Sequence, residues 1–208
     1  MSKVSFYQVT QAQYDALSRK EADALYFTTD SHRLFQGGNE LSPGGGYAPP
    51  GVTLRIPAEE TRFNLFALGA VDTTWNGEFQ VYGKVFGCYC LGATINVRDS
   101  GEVYHSIVTY KADGQGNWEG GLQLSDNSRT EHVVVEGGHL YLTGNSSGYD
   151  IEVRSGGRLM ISGDNAVGRK ILLRSGARLQ LYNGSALDVT AENGSTVSVS
   201  DGTTITYA

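Results

Sequence analysis

Apolar and polar residues alternate along most of this chain in short runs, and turns rich in Gly, Ser, Asp and Asn separate the runs. Alternation with a period of two predicts strands with one face buried. An apolar residue follows a Gly-containing stretch at Val85, Val103, Leu122, Leu140, Leu159, Leu179 and Val197, at intervals of 18, 19, 18, 19, 20 and 18 residues. The clearest copies are IEVRSGGRLMI from Ile151, ILLRSGARLQL from Ile171 and INVRDSGEVYH from Ile95. A period just under twenty residues, made of two alternating runs around a turn, predicts a mainly β chain folded as a right-handed β-solenoid, or β-helix. In this reading the seven anchors stack in one column, one strand spacing apart. The eight residues from Ile151 to Leu159 argue against a hexapeptide-type helix.

The pattern divides the chain into three regions. Residues 1–36 predict a small α/β-hairpin unit. Thr10 and Gln13 fit a capping box at a helix start, QYDALSRKEADAL places Tyr14 and Leu17 on one face, and ALYFTTDSHRLFQG predicts a hairpin. Its strands run from Leu25 to Thr29 and from Arg33 to Gln36, around Asp30, Ser31 and His32. Residues 37–60 hold all four prolines (Pro43, Pro49, Pro50 and Pro57) and the Gly44-Gly45-Gly46 run, which predicts a linker. Residues 61–208 predict the solenoid shaft, with the less regular stretch from Thr61 to Leu91 as an atypical cap. No proline follows Pro57, as a continuous backbone ladder requires.

Charge and composition narrow the function. The net charge is −6, from 16 basic and 22 acidic residues, and no basic run interleaves with aromatics. Nucleic-acid binding is therefore disfavoured. No stretch is long and apolar enough to insert in a membrane, and the N-terminal MSKVSFYQVTQ lacks a signal-peptide core. The expectation is a soluble chain made in a cytoplasm. The two cysteines, Cys88 and Cys90, fall on one strand face and read as small buried residues without a disulfide.

No catalytic motif is present: the chain has no G-x-S-x-G, no P-loop, no H-E-x-x-H and no C-x-x-C. The histidines, His32, His105, His132 and His139, lack companion ligands at metal-site spacing, so neither a metal nor a cofactor is expected. Asp99 and Glu102 flank one Gly turn, and Asp126 and Glu131 lie near another. A glycosidic pair needs one carboxyl held protonated by burial, and turn-borne acids are ordinarily solvated. The expectation is a non-enzyme.

The N-terminal segment carries a more specific signal. Tyr26, Phe27, Thr29 and Asp30, followed by Leu34, Phe35 and Gly37, match a "YF-x-T-D", polar turn, "L-(F/Y)-x-G" pattern. This segment resembles a module that opens many bacteriophage head- and tail-fibre proteins. The resemblance implies a virion protein, assembled in the host cytoplasm, whose N-terminus attaches to capsid or tail proteins. It also implies that the distal part faces the host. Tyr26, Phe27, Leu34 and Phe35 are the expected attachment residues, or else they pack on Tyr14 and Leu17.

One further column follows from the anchors. The residues after them are Phe86, Tyr104, Gln123, Tyr141, Met160, Gln180 and Ser198. Stacked in one line, Phe86, Tyr104, Tyr141 and Met160 form an outward stripe. That stripe reads as exposed strand residues, as the interface of a homo-oligomer (a trimer, as fibres commonly form) or as a face for a host-surface glycan. The leading expectation is a non-enzymatic phage fibre, and the alternative is a tailspike-like polysaccharide-binding or depolymerising protein. A secreted bacterial adhesin is disfavoured by the missing signal sequence.

Overall fold

The computed structural model describes residues 5–22, 24–30, 33–40, 46–48, 53–68, 78–109, 111–112, 118–119, 121–200 and 202–208. Two long parallel sheets dominate. One, of eight short strands, runs from Thr53–Ile56 to Thr196–Val199; the other, of nine, runs from Gly46–Ala48 to Thr204–Tyr207. The chain alternates between them, so each coil contributes one strand to each sheet. This is a β-solenoid of about eight coils.

The short-strand sheet shows the simple alternation expected of it. Leu140 and Leu142, Leu159 and Ile161, and Leu179 and Leu181 point inward and are fully buried. Each stacks on its counterpart one coil away, with Leu140 opposite Leu159 and Leu159 opposite Leu179. The long strands face them with Val133 and Val135, Ile151 and Val153, and Ile171 and Leu173. The lumen is narrow. A Cβ added at Gly148 would sit 2.8 Å from Ile151 Cδ1, and one at Gly168 would sit 2.8 Å from Ile161 Cδ1. Turns such as Arg154–Gly157, Arg174–Ala177 and Ser125–Ser128 close on an i to i+3 backbone hydrogen bond. Side chains extend the ladder at one turn, where Asn165 donates to Asn145 and Asn145 to Asn127.

The seven anchors do not form one column. Leu122, Leu140, Leu159, Leu179 and Val197 stack in the short-strand sheet, and their column continues to Ile95 and Phe79. Val85 and Val103 stack in the other sheet, where Thr130 and Gly148 follow. The reason is that each coil has two Gly/Ser/Asp-rich turns, both followed within a few residues by an inward position. The register crosses from one turn to the other between Val103 and Leu122. There the chain also inserts a short antiparallel pair, Lys111–Ala112 with Trp118–Glu119, so Ile95 meets Leu122, 27 positions on in the sequence.

The solenoid also starts earlier than its composition predicts. Gly46–Ala48 pairs with Leu65–Ala67, and Thr53–Ile56 pairs with Glu78–Val81, so the second half of the proline-rich stretch already forms ladder. Pro57 occupies a turn, where its missing amide costs no ladder bond and its carbonyl accepts from the Glu60 amide. Pro43, Pro49 and Pro50 lie outside the described residues. Thr61–Leu68 and Lys84–Leu91 are full ladder strands in register, not a cap. Cys88 and Cys90 are free and fully buried on one face. Burial raises both thiols, Cys88 well above its usual value and Cys90 to about 12.

The N-terminal unit has its own small core. The capping box is present, with Gln13 Oε1 accepting the Thr10 amide at 2.8 Å and Thr10 Oγ1 accepting the Gln13 amide at 3.2 Å. The helix is only Gln11–Asp15, shorter than its pattern suggests, because beyond Leu17 the next large apolar residue is Leu25. Leu25–Thr28 and Leu34–Gln36 form the expected hairpin; Phe6–Val9 adds a parallel strand on one side, and Asn39–Glu40 an antiparallel one on the other. Ser31 and His32 lie outside the described residues.

Two outcomes test this core. Leu159→Ala, which opens a cavity between two leucine neighbours, should lower the unfolding free energy by about 2–5 kcal/mol in urea titration. A thiol-specific chromogenic reagent should leave Cys88 and Cys90 unmodified in the native protein and label both on denaturation. Rapid native labelling would contradict their burial.

Candidate functional site

The long strands are bent, and the bend shapes the surface. Within Glu102–Thr109 the burial alternation breaks where Tyr104 and His105 both face outward, and it resumes at Ser106. The break coincides with a left-handed residue. Asn64, His105, His132, Asp150, Lys170 and Asp188 have φ between 52° and 56°, and Gly87 has 80°. Strand register stacks these residues along one corner of the rod. Asn, Asp, His and Gly tolerate this conformation best, and Lys170 is the one departure from that set.

Two outward columns therefore run side by side. The corner column carries charge. His105 and His132 stack with centroids 4.8 Å apart, His132 Nδ1 lies 2.7 Å from Asp150 Oδ2, and Lys170 Nζ lies 2.9 Å from Asp150 Oδ1. The Lys170 hydrogen bond, with the one from His132, holds the Asp150 carboxyl below the usual aspartate range. The column beside it reads Phe63, Phe86, Tyr104, Glu131, Tyr149, Arg169 and Leu187. Its first three rings stack at 5.6 and 4.9 Å, and Tyr149 is 44% exposed.

The expected stripe thus splits. Phe86 and Tyr104 stand in this aromatic column, but Tyr141 and Met160 lie in the other sheet, between Gln123 and Gln180. The sequence carried a signal for the true column: the pairs Phe63-Asn64, Phe86-Gly87, Tyr104-His105, Glu131-His132, Tyr149-Asp150, Arg169-Lys170 and Leu187-Asp188 each sit just before a resumed alternation. Beyond the corner, Phe66, Tyr89, Ile107 and Val134 form a third outward column, partly apolar, with Phe66 and Tyr89 stacked at 5.0 Å.

The acids weighed as a glycosidic pair occupy other roles. Glu102 accepts from Tyr104 at 2.7 Å and from Lys84 at 2.9 Å, and those bonds lower its pKa, the opposite of a held proton. Asp99 and Asp126 are exposed at turns, and Glu131 is half-buried beside His132 at 3.3 Å. Among the described residues no three His, Cys, Asp or Glu side chains gather as a metal site. Elsewhere, Arg154 bridges Glu136 and Glu152, while Arg174 bridges Glu152 and Glu192.

Three of the four N-terminal residues singled out from sequence are interior. Tyr26, Phe27 and Phe35 are 4%, 1% and 5% exposed. Tyr26 and Phe35 pack with Tyr14, Ala24, Val9 and Leu17, and the Tyr14 and Phe35 rings stack at 4.1 Å. The Leu34 backbone pairs with Phe27; its side chain lies outside the described residues. Tyr26 Oη accepts the Glu21 amide at 2.9 Å, and Asp30 Oδ1 accepts the Gln11 amide at 2.7 Å. Tyr26, Phe27 and Phe35 therefore build the interior of the unit, and Asp30 ties the hairpin to the helix.

No known protein-family profile matches the chain, and no curated protein does. Among solved structures, the crystal structure of a TibC-catalysed, hyper-glycosylated fragment of TibA, residues 55–350, is similar with a TM-score of 0.63 and 16% identity. The likeness covers 78% of this chain and 56% of that one, so the chain spans about half the length of that structure. At this identity it shows the fold alone.

The corner carries a pH signature. Asp150 is held ionised by its partners in the fold, so its contribution to stability is fully present above the ordinary aspartate value of 3.8. That contribution is lost as pH falls through the lower, folded-state value. Asp150→Asn should therefore lower the melting temperature at pH 7 and weaken its fall below pH 4. An unchanged melting profile would contradict the linkage.

Proposed function

We propose that this chain is a non-enzymatic structural protein of a bacteriophage virion, a head or tail fibre that attaches by its N-terminal unit and presents the solenoid to the host surface. One observation carries the reading. A small unit with its own core, bearing the fibre-module pattern, precedes an eight-coil rod whose ladder gives reach and rigidity. Rigidity follows from every coil being tied to its neighbours by parallel backbone pairing. Attachment uses the outside of the N-terminal unit, because Tyr26, Phe27 and Phe35 are buried. Tyr7, 38% exposed and stacked on Tyr26 at 5.1 Å, is a side chain available there.

In this reading the fibre is a homotrimer, and the partly apolar column of Phe66, Tyr89, Ile107 and Val134 is the face its copies bury against one another. The tailspike-like alternative draws on the outward aromatic stack of Phe63, Phe86 and Tyr104, a surface suited to sugar rings.

A chain lacking residues 1–40 should keep the cooperative melting of the rod and fail to co-purify with particles of the phage that encodes it. Normal incorporation would place attachment on the solenoid. Sedimentation equilibrium of the whole chain should give three times the 22.4 kDa chain mass; a monomer at micromolar concentration would contradict the trimer.

A further inference from the structure

We propose that the solenoid binds an acidic glycan in a concavity on the aromatic column, with Tyr149 as the stacking platform and Arg129 and Arg169 as the carboxylate contacts. The proposal deepens the fibre reading by naming what the exposed side would hold. The concavity has a volume of about 260 Å³ and is lined by Tyr104, Arg129, Glu131, Ser147, Tyr149 and Arg169, among others. Its position follows from register. Ser147 stands between Arg129 and Val167, while Tyr149 stands between Glu131 and Arg169. The small Ser147 side chain leaves the hollow between larger neighbours.

The charges select the ligand. Most cations on the long-strand side are neutralised: Lys84 by Glu102, Lys170 by Asp150, and Arg154 and Arg174 by two carboxylates each. The Arg129 and Arg169 side chains are exposed and make no ion pair or hydrogen bond among the described residues; Arg129 stands in register opposite Glu102, whose carboxylate is held by Tyr104 and Lys84. Both border the same hollow, two strand steps apart, roughly 10 Å along the rod. The acid within it, Glu131, lies 3.3 Å from His132 Nε2 and is outnumbered by the two guanidinium groups. Two guanidinium forks without a bonded carboxylate of their own, on a chain of net charge −6, form a local cationic site, shaped for planar carboxylates.

The remaining groups suit a sugar. Tyr149 is 44% exposed, with Lys170 Nζ 5.6 Å from its ring centroid. Tyr104 is fixed from behind by its stack on Phe86 and by its hydrogen bond to Glu102. A fixed ring loses little freedom when a pyranose packs on it, and the Ser147 hydroxyl can donate to or accept from a sugar hydroxyl. An open side of a rod admits a segment within a long polysaccharide, with no need to enclose a chain end.

The test uses the full chain on a glycan array bearing uronate- and sialate-containing chains beside neutral chains, followed by calorimetry with the best-retained acidic oligosaccharide. Binding should be confined to acidic chains, weaken with added salt, and fall at least about tenfold in the Arg129→Gln/Arg169→Gln variant, with the melting temperature unchanged. Tyr149→Ala should weaken the same ligand. Equal binding of neutral chains, undiminished binding by the double variant, or retention of no acidic glycan overturns the proposal. So does equal binding of polyphosphate, which carries charge without sugar rings. The fibre reading fails separately, by normal particle incorporation of the chain lacking residues 1–40.

Discussion

Backbone hydrogen bonding between coils is the interaction on which the rest of this protein depends. A coil of this size encloses two or three inward side chains per strand, too few to offset the entropy of ordering it. Apart from the bonds that close its turns, its amides and carbonyls find partners in the coils above and below, as when the Arg154 amide donates to Val135 and the Arg174 amide to Val153. Several features follow at once. Prolines are confined to the first part of the chain, like residues stack on like, and a single lumen runs from Ile56 to Val189.

That ladder also dictates the surface. Because each outward residue is held one strand spacing from its neighbours, a column is a fixed array, and its chemistry is read along the rod. The left-handed corner places two outward residues in succession on each coil. It thereby sets an aromatic and charged column beside a column of His, Asp and Lys. Phe86 under Tyr104, His105 beside His132, and Lys170 on Asp150 are consequences of register as much as of residue type.

Much of the architecture was legible in the sequence, and the misreadings have a common source. Solenoid class, the capping box at Thr10, the hairpin around Asp30 and the burial of Cys88 and Cys90 all follow from local patterns that the ladder preserves. The column assignments failed where local pattern is degenerate. Two similar turns per coil let Val103 be aligned with Leu122, although 27 positions separate Ile95 from its true neighbour. That one slip put Tyr141 and Met160 beside Tyr104 and hid Glu131, Tyr149 and Arg169. At the N-terminus, Tyr26 and Phe35 looked like docking residues because aromatic strand residues serve interiors and interfaces alike; only packing on Tyr14 decides.

The central claim is therefore the register that places Asn96, and not Tyr104, beside Gln123. It is tested most directly by paired cysteines in a chain whose Cys88 and Cys90 are replaced by alanine. Adjacent parallel strands bring Cα atoms within disulfide range, about 4.4–6.8 Å. Under mild oxidation, Asn96→Cys with Gln123→Cys should crosslink rapidly within one chain, and Tyr104→Cys with Gln123→Cys should not. The reverse result would contradict the coil register and, with it, the surface on which the functional account stands.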